Sequence, residues 1–130
     1  MSTEENKTGV RRFIEAYNTR DAIVLNEVLD PEIATRYLEV YIPRNSAVWA
    51  DERVEITDTL AEGDWVGARM THTGRHVGEY RGIPPTGKTK TNAGCMFFHV
   101  AAGKVVEHAA VWDHLGELTQ LGGVVVPGGQ

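Results

Sequence analysis

Apolar residues near the amino terminus recur every three to four positions, which is the spacing of one face of a helix. The run Ser2-Thr3-Glu4-Glu5 in front of them offers a capping box, in which Ser2 and Glu5 satisfy each other's backbone amides. The pattern predicts an amphipathic helix over about residues 4–18. Its apolar face carries Val10, Phe13, Ile14, Ala16 and Tyr17.

A second helix is predicted to begin at a cap on Asp21 and to end before Pro31, because a proline pushes the preceding residue out of the helical region. Its apolar positions are Ile23, Val24, Val28 and Leu29. The two helices together form a hairpin. Residues 32–52 mix strand-forming residues with Pro43 and an Asn-Ser turn signal, so we expect a strand followed by a short helix or loop.

From Arg53 onward the apolar period changes to two, which is the period of a strand with one buried face. Val54, Ile56 and Leu60 share one side of a predicted strand that ends in a turn at residues 61–64. Turn residues fill 78–88, and residues 101–103 suit a hairpin connection. The remaining elements are strands over 65–73, 89–100 and 104–113, a helical turn or two at 115–121, and a tail without periodicity.

Helices first and hairpin-linked strands afterwards is the pattern of an α+β domain, with N-terminal helices covering one face of a curved antiparallel sheet. A strongly bent sheet closed by helices is cone-shaped and encloses a pocket lined by alternate strand residues. The 130 residues contain no internal repeat and no long linker. We therefore expect one domain over 1–130, with a core at about residues 5–122 and a tail at 123–130.

The amino-acid composition limits the classes of partner that this protein is expected to bind. Thirteen Lys and Arg residues against 18 Asp and Glu give a net charge of −5, without any basic run, so we expect no nucleic-acid and no membrane partner. The polar start and the absence of a long apolar stretch predict a cytoplasmic protein. Cys95 is the only cysteine in the sequence, which excludes an internal disulfide and favours a small buried apolar group over a nucleophile.

Asp113 is the main candidate for chemistry, because it ends the last apolar strand. If it points inward, Glu107, Ala109 and Val111 share its face, provided that no bulge interrupts the strand. A carboxylate among apolar side chains loses hydration, which raises its pKa and makes it a better proton acceptor near neutral pH. Asp113 is equally well placed to cap the final helix, and both interpretations stay open.

Histidines on neighbouring strands are candidate partners of this carboxylate. His99 shares a face with Phe97 and can reach Glu107 or Asp113 across the hairpin, forming an acid/base pair. His76 can reach the pocket from the strand on which Arg69 alternates with Met70. His72 and His76 are the one histidine pair at i, i+4 spacing, but no helix is predicted there to put both on one face, so we expect no metal.

Three stretches together resemble the SnoaL-like polyketide cyclase family, which belongs to the nuclear transport factor 2-like superfamily of cone-shaped α+β folds. They are GEYRGIPPTGK at 78–88, GKVVEH at 103–108, and WDHLG at 112–116 followed by QLG at 120–122. The resemblance spans about residues 5–122, and the order and spacing of the stretches make it specific.

The resemblance implies an intramolecular aldol ring closure without metal or organic cofactor. The family's general acid/base is an aspartate at the end of the last long strand, which matches Asp113. The family's histidine before Gly-Glu matches His76, whereas its usual arginine before the Asp-Gly-Lys turn is His99 here and its usual tryptophan is Ala109. These departures reshape the pocket.

We therefore predict a cofactor-independent cyclase or isomerase acting on a hydrophobic, polyketide-like small molecule. Asp113 removes a proton next to a carbonyl, and His99 or His76 stabilises the enolate or relays the proton. The predicted substrate contacts are Glu107, Tyr17, Arg69, Phe97, Ala109 and Trp49.

Two alternatives remain open. In the first, Asp113 activates water to open an epoxide, with Arg69, Asp64 and Glu107 as assisting groups. In the second, the pocket only binds a ligand, or the sheet serves as a dimerisation module. Exposed sheet faces pair commonly in this superfamily, so the resemblance implies a homodimer, and Trp65 is a candidate interface residue.

Overall fold

The computed structural model describes residues 2–123, and the predicted tail lies outside them from residue 124 onward. The helical part comes first: α1 Thr3–Thr19, α2 Ala22–Val28, α3 Pro31–Arg36, a π-helical turn Tyr37–Tyr41 and α4 Ile42–Val48. The strands follow: β1 Trp49–Glu62, β2 Trp65–His76, β3 Thr89–Ala101 and β4 Lys104–Trp112, with α5 His114–Gln120 after them. They form one antiparallel sheet in the order β1-β2-β3-β4, which confirms the predicted α+β class.

Local side-chain chemistry starts the first two helices where the sequence predicted. Ser2 Oγ accepts from the Glu5 amide at 3.1 Å, and Glu5 Oε1 accepts from the Ser2 amide at 3.0 Å. Asp21 Oδ1 accepts from the Val24 amide at 3.1 Å and so caps α2. The apolar face of α2 is shifted by comparison with the prediction, because Leu25 is buried and Ile23 is exposed.

The predicted strand within residues 32–52 is wrong, since this segment is helical up to Val48. Asp30 caps α3, and Pro31 occupies its first turn, where no amide is needed. The Ile42 amide donates to Tyr37 O, five residues back, and Pro43 lies in the first turn of α4. Burial of Ala34 and Tyr37 against the core outweighs the strand propensity of the branched and aromatic residues here.

The core lies between the helices and the concave face of the sheet. Phe13 on α1 meets the Tyr37 ring edge-on at 5.0 Å and the Phe98 ring of β3 at 5.9 Å, which are favourable aromatic geometries. The side chain of Asn18 donates to Val54 O at 2.8 Å and accepts from the Val54 amide at 2.9 Å. In this way the end of α1 satisfies the free edge of β1 and fixes the helix over the sheet.

Register shifts interrupt the alternation of two strands. β1 has two, between Ala50 and Arg53 and between Ile56 and Asp58, and after the second of them Leu60, which the strict period placed beside Val54, is 79% exposed. A third lies opposite His99 and Val100, where β4 passes from Glu107 to Val105. A β-bulge of this kind turns the following side chains to the other face of the sheet.

Candidate active site

A cavity of about 530 Å³ lies between the concave face of the sheet and the helices. The helical segments contribute mainly aromatic side chains, and the strands contribute alternate residues, as expected for the inner face of a bent sheet. The strand residues that line it are Trp49, Glu52, Val54, Met70, His72, Asn92, Met96, His108, Ala110 and Trp112. A cavity of this size suits a small organic molecule.

Polar groups gather at one end of the cavity, around the buried ammonium of Lys90. This side chain is fully buried, and the Lys90 Nζ lies 4.5 Å from the centre of the Trp49 ring. Its Nζ contacts His72 Nδ1, Asn92 Oδ1 at 2.5 Å and Glu117 Oε2 at 2.6 Å. An ammonium has three donors, and three acceptors surround this one, so its hydrogen-bonding capacity is fully used.

His72 connects this ammonium to a second buried carboxylate. Because His72 Nδ1 accepts from Lys90, its Nε2 carries the proton and donates to Glu52 Oε2 at 2.7 Å. Glu52 also accepts from the Tyr17 hydroxyl at 2.7 Å and from Arg20 Nη2 at 2.6 Å. Both ring nitrogens of His72 are therefore occupied within the protein, and His72 is a fixed structural group rather than a free base.

Glu117, on α5, continues the polar chain towards solvent. Its Oε1 accepts from the Tyr80 hydroxyl at 2.5 Å and lies 3.3 Å from His114 Nδ1. The His114 side chain is half exposed and lines the cavity. Its Nε2 has no hydrogen-bond partner among residues 2–123. A carboxylate on one imidazole nitrogen leaves the other nitrogen with a lone pair, which is the arrangement of a general base.

The carboxylates at this end stay ionised at neutral pH. Burial opposes the charge on Glu52, but hydrogen bonds from His72, Tyr17 and Arg20 outweigh it and lower the pKa of Glu52 to about 2. Burial also opposes ionisation of Glu117, and hydrogen bonds from Lys90 and Tyr80 still hold the pKa of Glu117 below its usual value. Burial lowers the pKa of Lys90, against the opposing effect of Glu117. Each buried carboxylate thus has its own cation.

The opposite end of the cavity is apolar apart from one imidazole. His108 lies 5.6 Å from the Tyr37 ring and 6.5 Å from the Phe98 ring, measured between ring centres. Burial is the main cause that lowers the pKa of His108, so the ring is neutral at neutral pH. The neutral imidazole therefore forms part of the aromatic wall at this end of the cavity.

Asp113, the first of the sequence-predicted catalytic residues, caps α5. Its Oδ1 accepts from the Gly116 amide at 2.8 Å, and its side chain is exposed and does not line the cavity. Of the two interpretations that the sequence left open, the geometry matches the cap. The adjoining residues Trp112 and His114 line the cavity instead.

Most of the other predicted site residues lie on the convex face of the sheet, so their predicted inward orientation is wrong. His99 stacks on Trp65 at 4.8 Å and lies 3.5 Å from Glu107, and Arg69 pairs with Asp58. Phe97 and Ala109 face each other in the β3–β4 register and are exposed. For Glu107 and Ala109 the bulge opposite His99 explains the error, because it puts Val105 on the inner face together with His108, Ala110 and Trp112.

The remaining predicted residues lie at or behind the cavity. Tyr17 and Trp49 line it. His76 is completely buried behind Trp49, with ring centres 5.5 Å apart, and does not line it. Its Nδ1 accepts from the Thr86 amide at 3.2 Å, so His76 fixes the loop after β2.

Sequence reasoning missed Glu52, His72, Lys90, His114 and Glu117. A signal for two of them was present, because Glu52 and His72 each stand two positions from an apolar inward residue, Val54 and Met70. Lys90 offered no such signal, since a lysine at the start of a strand is ordinarily exposed. No three His, Cys, Asp or Glu side chains in the described part of the chain are grouped to hold a metal ion, and the absence of a metal stays a prediction.

Comparisons with known proteins agree with this architecture. The family model of the SnoaL-like polyketide cyclases matches residues 7–121. The aklanonic acid methyl ester cyclase AcmA of Streptomyces galilaeus is 31% identical over 131 residues, covering 91% of each protein. The aklanonic acid methyl ester cyclase DauD of Streptomyces sp. strain C5 is 31% identical over 127 residues, covering 87% of this chain and 79% of DauD.

The fold of this chain is also similar to that of a solved structure. TsrD from Streptomyces laurentii superimposes with a TM-score of 0.83 at 28% identity, over 95% of this chain and 99% of TsrD. None of the helices in residues 2–123 is long and apolar enough to cross a membrane.

Proposed function

The chain belongs to the SnoaL-like polyketide cyclase family, and on that premise we propose that it catalyses an intramolecular aldol ring closure on a polyketide-like substrate, without a cofactor. The observation that carries the proposal is the His114–Glu117 pair at the polar end of the aromatic cavity. The cyclase names of AcmA and DauD support the reaction class. A cytoplasmic location stays a prediction.

His114 is the proposed general acid/base. Glu117 holds His114 Nδ1, so Nε2 is free to take a proton from a carbon next to a substrate carbonyl. The imidazolium that forms is stabilised by the Glu117 carboxylate, which Lys90 and Tyr80 hold in place. This assignment replaces Asp113, which the family resemblance implied, because the Asp113 side chain is turned to the α5 amides.

Asn92 is the proposed hydrogen-bond donor to the enolate oxygen. It lines the cavity, and Lys90 binds its Oδ1, which leaves the amide Nδ2 as the donor. One contact of Nδ2, to Asp113 O, is 3.4 Å long, and the second N–H is available to a substrate. Donors aimed at developing charge stabilise the transition state, typically by about 3 kcal/mol for one donor.

The reaction balances without any co-reactant. The enolate carbon forms a bond to a second carbonyl carbon of the same molecule, and the His114 imidazolium returns its proton to the resulting alkoxide. The aromatic wall, including Tyr37, Trp49 and Trp112, folds the substrate so that the two carbons meet. His72 and Glu52 touch this wall but act as positioning residues, because their polar atoms are already paired.

Separate incubations with aklanonic acid and with its methyl ester in heavy-oxygen water test the reaction class. We expect a product of unchanged mass and altered retention on chromatography, because ring closure only moves a proton and forms a carbon–carbon bond. Hydrolysis or epoxide opening would add one labelled oxygen, and a pure binding protein would return both the acid and the ester unchanged. Either of those results would contradict the proposal.

We also propose a homodimer that forms through the convex face of the sheet. Phe97 is 58% exposed and Val111 77% exposed there, near Trp65 and Leu60. Charged pairs such as Arg69–Asp58 border them. Sedimentation velocity is expected to give twice the 14.3 kDa chain mass, and the variant Phe97→Glu/Val111→Glu is expected to give the chain mass. A monomeric wild type at micromolar concentration would rule the dimer out.

A further inference from the structure

Two arginines stand out because they line the cavity and have no carboxylate partner among residues 2–123. Of the nine arginines, six form ion pairs: Arg12, Arg20, Arg36, Arg53, Arg69 and Arg75. Arg11 donates to the Thr59 hydroxyl and faces away from the cavity, towards β1. Within residues 2–123, Arg44 and Arg81 have no ion pair, and both line the cavity.

The charge balance of the cavity wall makes these arginines significant. Glu52 is neutralised by Arg20 and Glu117 by Lys90. The wall therefore carries two uncompensated positive charges, although the whole chain has a net charge of −5. A surplus of cations in a concave, partly apolar site attracts anions, since low-dielectric walls focus the field.

Both side chains line the cavity and are exposed to solvent. Arg44 is exposed on α4, with its guanidinium 5.3 Å from the centre of the Tyr41 ring. Arg81 is exposed in the loop after β2, at the same distance from the Tyr80 ring. The loop is anchored to the end of α4, because the Gly78 amide donates to Val48 O at 3.1 Å.

A tyrosine ring lies beside each guanidinium, and the Tyr80 oxygen takes up only part of the five N–H donors of Arg81. An arginine that stacks through its flat face still presents its N–H fork at the edge. This fork matches the two oxygens of a carboxylate, and such charge-assisted pairs are stronger than neutral hydrogen bonds. A methyl ester offers only a neutral carbonyl oxygen and cannot form the charged pair.

We infer that Arg44 and Arg81 form a carboxylate-binding subsite at the cavity opening, so that this protein takes a substrate with a free carboxyl group. The inference rests on the proposed function, because it concerns the same cavity. It distinguishes this chain from AcmA and DauD, whose names specify a methyl ester. The apolar body of the substrate then extends inwards, past Trp49 and Trp112 towards His108.

Isothermal titration calorimetry with anthraquinone-2-carboxylate and with its methyl ester tests the subsite without any turnover. We expect the wild-type protein to bind the carboxylate about tenfold more tightly than the ester, as one charge-assisted contact at a partly exposed site gives. Arg44→Gln and Arg81→Gln are each expected to weaken carboxylate binding by about tenfold and to leave ester binding unchanged.

Arg75→Gln is the matched control, because Arg75 is exposed, pairs with Asp51 and lies outside the cavity lining. It should bind both ligands as the wild type does. Equal or tighter binding of the ester by the wild type, or carboxylate binding insensitive to both cavity variants, overturns the subsite and leaves the cyclase proposal intact. Failure of both ligands to bind overturns the subsite as well, whereas a failure of cyclisation alone overturns only the proposed reaction.

Discussion

Replacement of His114 by glutamine is expected to lower kcat by about 100- to 10,000-fold, which is the usual contribution of a general acid/base. Glutamine keeps a polar side chain of similar reach but cannot exchange a proton near neutral pH. Because His114 is half exposed, the substitution should leave the thermal unfolding midpoint close to that of the wild type. Steady-state kinetics on the cyclised substrate should show the loss in kcat rather than in KM.

Asp113→Asn is the matched control for this experiment. Asparagine caps a helix as well as aspartate does, so the bond to the Gly116 amide persists while the carboxylate is removed. We expect this variant to keep nearly full activity. If Asp113→Asn is inactive and His114→Gln is active, then Asp113 is the acid/base, as the family resemblance implied, and the assignment to His114 is wrong.

Replacement of Lys90 by methionine is expected to lower the free energy of unfolding by about 3 to 5 kcal/mol, the usual effect of removing one partner of a buried ion pair. Methionine has a similar length, so no large cavity forms. The loss arises because Glu117, Asn92 and His72 each lose a donor that is fully buried in the wild type. Urea denaturation followed by tryptophan fluorescence measures it.

Two further variants separate this cause from a general effect of losing a lysine. Lys7→Met removes the partner of Glu4 in a surface pair and is expected to cost less than about 1 kcal/mol. Adding Glu117→Gln to Lys90→Met is expected to restore part of the lost stability, since it removes the unpaired buried charge. A Lys90→Met protein no less stable than Lys7→Met would contradict the role of Lys90 as the centre of the polar cluster.

The helices and strands whose first and last residues depend on local interactions could be predicted from the sequence. The Ser2–Glu5 capping box and the Asp21 cap act between residues three apart, so they appear in the sequence as they do in the fold. The family resemblance was confirmed over residues 7–121. The helical segment at 31–48 was not accessible, because burial of Tyr37 against α1 overrides its strand-like composition.

The site itself could be predicted only in part from the sequence. Side chains alternate between the two faces of a strand, so one inserted residue moves every following side chain to the opposite face. The bulge between Val105 and Glu107 depends on pairing with β3, and it turned Glu107, Ala109 and Val111 outward. His99 and Phe97 were correctly placed on one face, but that face is the convex one.

The sequence by itself therefore determined the order of helices and strands, the α+β class and the family, since caps, periodicity and turn residues act over a few positions. Only the tertiary structure decided which polar groups meet in the cavity. Lys90 joins His72 on β2 to Glu117 on α5, residues far apart in the chain whose contact depends on sheet register and helix docking. A buried lysine is tolerated only when hydrogen-bond acceptors surround it. Here those acceptors are distant in the sequence, so the residues next to Lys90 do not indicate that it is buried.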